Sequence, residues 1–103
     1  MIRGTTPTIT MNLPSSVPVN TITSAIASIV QSGKEVISKD LSKMTIDTEA
    51  NSLAVKLKQE ESLLLSAKNN TYVQLKVKTT SGTVLSHLPI PMVVTDIINE
   101  EVL

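Results

Sequence analysis

An all-β fold is predicted by three features of the sequence. Valine, isoleucine and threonine make up about a third of the 103 residues, and β-branched side chains suit a pleated, half-buried surface. Apolar and polar residues alternate in short runs, which is the period of a strand with one face buried. Turn-forming residues recur roughly every 8 to 15 positions without the strand and helix alternation of a parallel sheet.

Taken in order, residues 8–12 form the first expected strand. The segment Asn12-Leu13-Pro14-Ser15-Ser16-Val17-Pro18-Val19-Asn20 follows, and its two prolines and small polar residues predict an ordered loop. In residues 22–31, Ile22, Ala25, Ile26, Ile29 and Val30 fit a helical stripe as well as a strand, with Thr21 placed as an N-cap and Gly33 just past the end. The β-branched content and the Ser32-Gly33-Lys34 turn leading into another β-rich run at 35–39 select the strand. Residues 44–47 form the next strand, and Thr48-Glu49-Ala50-Asn51-Ser52 turns the chain into 53–58. There Leu53, Val55 and Leu57 alternate with Ala54, Lys56 and Lys58.

Residues 59–66 are rich in helix formers but too few for an independent helix, so they are read as one or two helical turns bridging two strands. The clearest strand is Thr71 to Thr79, where Val73, Leu75 and Val77 alternate with Tyr72, Gln74, Lys76 and Lys78. Ser81-Gly82 then makes a hairpin into 83–87. A last strand is expected at 92–97, introduced by Pro89 and Pro91, which cannot donate to a central ladder. These elements predict an antiparallel immunoglobulin-like β-sandwich of seven to eight short strands with one short helical turn around 59–66. It would fill the chain as a single domain, 1–103, without the Cys and Trp hallmarks of true immunoglobulin domains.

Composition narrows the function. Nine basic and nine acidic side chains cancel, so no global positive field would draw the chain to nucleic acid or to an anionic membrane. The absence of cysteine excludes disulfides, thiolate metal sites and a cysteine nucleophile, and a single histidine excludes most zinc sites. No stretch approaches the roughly 20 apolar residues of a spanning helix or the core of a signal peptide. A soluble, unprocessed protein with neither nucleic-acid nor membrane partners is expected.

The candidate sites read as structural. Ser86 and His87 suggest a nucleophile and base with Asp40, Asp47 or Asp96 as orienter, but neighbours on a strand point to opposite faces. His87 is better read as a solvated strand-end residue. Glu60 and Glu61 suggest paired carboxylates, yet their place at the start of a helical turn makes them dipole-stabilising acids. Lys56, Lys58, Lys76 and Lys78 would form a basic stripe if their strands shared a sheet, and otherwise a solvated face that discourages edge aggregation. Tyr72, the only aromatic residue, is placed where a sandwich can tie a corner through a tyrosine hydroxyl. Asn69-Asn70-Thr71 matches a glycosylation triplet and is read as a turn. The uncharged run 22–31 would be a hazard as an open edge and is expected to be covered or paired with another chain. No catalytic, cofactor-binding or metal-ligating residue is assigned, and no enzymatic activity is expected.

The opening Met1-Ile2-Arg3-Gly4-Thr5-Thr6-Pro7-Thr8-Ile9-Thr10-Met11-Asn12-Leu13-Pro14 resembles the start of small proteins encoded by tailed phages and prophages of Gram-positive bacteria. Further blocks continue the resemblance in order: Gln31-Ser32-Gly33-Lys34, then Leu57-Lys58-Gln59-Glu60-Glu61-Ser62-Leu63-Leu64-Leu65, then Gln74-Leu75-Lys76-Val77-Lys78-Thr79-Thr80-Ser81-Gly82. The resemblance implies a virion-associated structural or assembly protein of the tail or baseplate region, related to the N-terminal β-sandwich of upper-baseplate proteins. It would dock on other phage structural proteins, with homo-oligomerisation as a further expectation, in the virion and in the host cytoplasm during assembly. The chain departs from that family at Met11, Ile26, Ile29 and Leu65, where aromatic residues are expected. The alternative function is an accessory module that recognises a host-surface glycan or polymer.

Overall fold

The computed structural model describes residues 1–87 and 89–103. Among the described residues, eight strands, β1 (Thr8–Asn12), β2 (Ile22–Gln31), β3 (Lys34–Asp40), β4 (Met44–Asp47), β5 (Ser52–Lys56), β6 (Thr71–Thr79), β7 (Val84–Ser86) and β8 (Ile90–Met92), are joined by turns, by single 3-10 turns at Val19–Thr21 and Leu41–Lys43, and by one short α-helix, α1 (Gln59–Leu63). They form two antiparallel sheets. The smaller has the order β1-β5-β4, and the larger has β3-β2-β6-β7 with β8 also paired to β6. All-β architecture follows as the composition predicts, and the ambiguous run 22–31 is a strand.

Alternation explains which side of each strand is buried. Ala25, Ala27 and Ile29 of β2 and Val73, Leu75 and Val77 of β6 point inward to meet Met11, Leu53, Val55 and Leu57 from the smaller sheet. These residues share one core that is entirely aliphatic. Of the four positions where the resemblance leads one to expect aromatic residues, Met11, Ile29 and Leu65 are buried and Ile26 is exposed. Burying Leu53, Leu57 and Leu65 completely contributes about 1.5 to 3 kcal/mol per side chain.

The three expected hairpins form, each for a local reason. Ser32 and Gly33 both have positive φ, 52° and 74°, and Gln31 pairs with Lys34 across them, so the two-residue turn has the hand that matches strand twist. Gly82 supplies positive φ in the β6–β7 loop, where Gly82 N–H donates to the Thr79 carbonyl. In the β4–β5 turn, Asp47 Oδ1 accepts the Glu49 and Ala50 N–H groups, and Asn51 takes φ 52°.

Asn51 also organises the loop expected between the first two strands. Its Nδ2 group lies within 3.1–3.2 Å of the Leu13, Pro14 and Val17 carbonyls, and its Oδ1 accepts the Val19 N–H at 2.7 Å. Gln31 does similar work in the interior. Its Nε2 donates to the Ser66 carbonyl and to Thr71 Oγ1, both at 2.8 Å, while Oε1 accepts the Ser66 N–H. A buried amide satisfied this completely adds a tie between β2 and the connection that follows α1 without a desolvation penalty.

Two expectations about the C-terminal region are corrected. The last strand is Ile90–Met92 rather than 92–97, because pairing to β6 continues past Pro89. Lys76 pairs with Ser86 and Val73 with Ile90, so β7 and β8 read as one strand interrupted by a one-residue shift. Beyond it the chain pairs with the amino terminus, through a parallel bridge of Ile2 with Thr95. The last residues, Asn99-Glu100-Glu101-Val102-Leu103, read from sequence as an acidic tail, are held by side chains from elsewhere in the chain, since Gln59 Oε1 accepts the Leu103 N–H. Arg3 Nη1 binds Asp96 Oδ1 at 2.6 Å and also Glu100, while Nη2 donates to the Leu63 carbonyl at 3.0 Å and Nε to that of Leu65. One guanidinium thus ties both ends of the chain to the carbonyl end of α1.

Asn51→Ala is expected to lower stability by roughly 2 to 4 kcal/mol, from lost hydrogen bonds and from a Cβ-bearing residue left at positive φ. Asn51→Gly should lose less, because glycine removes the backbone strain and leaves only the side-chain loss. Urea denaturation of the two variants separates these parts.

Candidate functional site

The side chains singled out for chemistry do not converge. Ser86 ends β7 with its hydroxyl 3.4 Å from the His87 carbonyl, and the His87 backbone N–H donates to Leu75. The three aspartates are engaged elsewhere: Asp40 accepts from Ser42, Asp47 closes its own turn, and Asp96 holds Arg3. Their partners also set their acidity. The Ser42 hydroxyl lowers the Asp40 pKa, and the Arg3 hydrogen bond lowers that of Asp96. Among the described residues no cluster of three His, Cys, Asp or Glu could hold a metal.

Glu60 and Glu61 begin α1 as the sequence indicates, but they part company there. Glu61 Oε1 accepts the Lys58 N–H at 2.8 Å, which satisfies one of the donors left free at a helix start. Its other oxygen meets Lys39 Nζ at 2.6 Å, and both side chains are largely covered, at 14% and 23% exposure. Burial pushes the Glu61 pKa up, but the Lys39 contact, the Lys58 N–H and the charges of both lysines more than offset it, leaving it below the ordinary value. Lys39 lies on the inward-facing register of β3, opposite buried Ala27, so this pair places a charge on the inner side of an edge strand.

The lysines do not make one stripe. Lys56 lies on β5 and Lys58 just beyond it, whereas Lys76 and Lys78 lie on β6 in the other sheet. Tyr72 is not a corner tie: it stands on the outer face of β6, 38% exposed, and among the described residues its hydroxyl has no hydrogen-bond partner. It borders a shallow cleft of about 280 Å³ with Asn69, Asn70 and Pro91. The Asn69-Asn70-Thr71 segment, read as a turn, is instead a bend at Asn69 that leads into β6, whose first residue Thr71 is buried against Gln31.

Of the two expectations for 22–31, covered or paired with another chain, the fold realises the first. β2 is central, with β3 on one side and β6 on the other, so its backbone groups are satisfied within the fold. β1 is an edge strand, which pairs only with β5. Next to it the two sheets part, leaving two shallow clefts. One, of about 270 Å³, is lined by Leu13, Val17, Val77, Leu85 and His87; the other, of about 200 Å³, by Met11, Val73, Leu75, Ile90 and His87. Sequence reasoning missed this site because an edge is a property of strand order. The available signal was the lack of charge in 8–12.

The chain matches no protein-family model, and no curated protein is similar to it. Among the described residues no helix is long and apolar enough to cross a membrane.

The Glu61 pair predicts an acid limb in the stability profile. A carboxylate whose folded pKa is depressed contributes stability above its ordinary value near 4.5, and this is lost as pH falls through the folded value. The stability difference between the protein and Glu61→Gln should therefore be largest near neutrality and shrink as pH drops below that range. Thermal melts at a series of pH values measure it, and a constant difference would show that the charge of Glu61 is not what stabilises.

Proposed function

We propose that the protein is an immunoglobulin-like β-sandwich serving as a structural or assembly module of a tailed phage or prophage, in the tail or baseplate region, through protein–protein docking. Strand order supports the fold assignment. With β1, β5 and β4 taken as strands B, E and D, and β3, β2, β6 and β7–β8 as C′, C, F and G, the strand order is compatible with an immunoglobulin arrangement lacking a separate first strand. The short helix between β5 and β6, and the parallel bridge of the amino terminus to the segment after β8, fit the same scheme.

The observation that carries the functional reading is the resemblance of residues 1–14 and the later blocks to phage and prophage proteins. Docking in place of catalysis accords with the scattered positions of Ser86, His87 and the three aspartates. The reading makes the protein a non-enzyme that needs no cofactor and has neighbouring phage proteins, or further copies of itself, as partners in the virion and in the host cytoplasm.

A second reading, recognition of a host-surface glycan or polymer, is favoured by one feature. Tyr72 is exposed beside Asn69 and Asn70, and an aromatic face next to amides is a common way to hold a sugar ring.

Quantitative peptide mass spectrometry of purified particles decides between these readings. The docking module is expected at a fixed ratio to tail proteins in particles. Absence from particles, together with glycan binding that Tyr72→Ala abolishes, would replace it with the second reading.

A further inference from the structure

We propose that the free edge of β1 and the apolar seam beside it accept an added β-strand from another protein, and this inference rests on the docking role proposed above. The β1–β5 ladder is bonded at its two ends from Leu57 N–H to the Pro7 carbonyl and from Leu13 N–H to the Asn51 carbonyl. Bonded positions alternate along an antiparallel pair, so Ile9 and Met11 bond to β5. The N–H and C=O groups of Thr8, Thr10 and Asn12 point away from it, and among the described residues nothing pairs with them.

The other edges are protected in the ways natural sheets protect them. β3 carries Lys34, Glu35 and Asp40 and the inward-facing Lys39. β4 is four residues long and ends in Asp47. The β7–β8 edge is interrupted by a register shift and carries Pro89 and Pro91. β1 has no charge, no proline and no bulge within Thr8–Asn12. A strand laid along it would send every second side chain inward over the clefts bordered by Met11, Leu85 and Ile90. Leu85 and Ile90 are 39% and 55% exposed, although they border the core.

Charge identifies the occupant. Among the described residues no carboxylate, lysine or arginine lines either cleft, and most of the lining is apolar, so apolar inward side chains fit it. On the outer face, Lys56 stands opposite Thr8, and among the described residues no carboxylate pairs with it, which favours an acidic residue at that end of the incoming strand. A second copy fits less well. Two β1 strands paired about Thr10 would set Thr8 against the partner's Asn12, with no acid near Lys56. The occupant is an extended segment of another protein, apolar at alternate positions and acidic at one end.

Selection of nine-residue peptides from a displayed random library against the full chain, followed by amide hydrogen exchange with the best binder, tests this. Enriched peptides should alternate apolar residues and carry an acid at one end. Exchange at Thr8, Thr10 and Asn12 should slow roughly a hundredfold on binding. Thr10→Pro removes one outward N–H while leaving the β5 ladder, and Leu85→Asp charges an exposed position in the seam. Each should weaken binding roughly tenfold or more, with an unchanged melting profile as the folding control. The proposal is overturned if nothing is enriched, if the binder leaves these three amides fast, or if they slow in a concentration-dependent dimer without peptide. The docking reading fails separately, by absence of the protein from particles, so the two failures cannot be confused.

Discussion

The pairing of β2 with β6 is the constraint on which the rest of the molecule depends. It runs from Ile22 opposite Thr79 to Gln31 opposite Thr71, and every other strand of the larger sheet hangs from one of these two. Its inner face supplies Ala25, Ala27, Ile29, Val73, Leu75 and Val77 to the core, so the register that satisfies the backbone also sets the floor on which the smaller sheet rests. A slip of one residue by either strand would turn its three inner side chains to solvent. Gln31 locks one end of the pair to Ser66 and Thr71, where a purely apolar residue would have left the register less defined.

Around this pair the fold is closed by a few polar hubs in place of bulky packing. Asn51 holds the loop after β1, Arg3 gathers the two termini against α1, and Ser62, fully buried, donates to the Thr5 carbonyl. Each hub binds backbone carbonyls from segments distant in sequence. In a core without aromatic residues, such contacts fix the positions of connections that large side chains would otherwise pin.

What could be read from the residues was whatever depends on neighbours in sequence. Residues 8–12, 22–31, 44–47 and 71–79 are strands with those bounds because alternation and turn chemistry are local, and the helical turn after Leu57 follows from its helix formers. What could not be read depends on which strands become neighbours. The charge-free 22–31 run signalled that it is covered, but not whether by its own chain or another, because the stretch does not say that β3 and β6 flank it. Whether the lysines of β5 and β6 form one stripe or a solvated face stayed open in the residues, because their shared pattern hides their separate sheets. The Arg3 clamp spans nearly the whole chain and has no local signature. The β1 edge was hidden for the same reason, although the absence of charge that marks it was in plain view.

The placement of Tyr72 has a consequence for how the molecule can be observed. It is the only aromatic residue, and it stands on the outer face of β6, away from an interior of alanine, valine, leucine, isoleucine and methionine. Loosening of that interior therefore leaves little trace in near-ultraviolet absorption or emission, while anything that settles on the outer face of the larger sheet alters the light from its single fluorophore directly. The molecule is optically silent about its own core and responsive at one place on its surface.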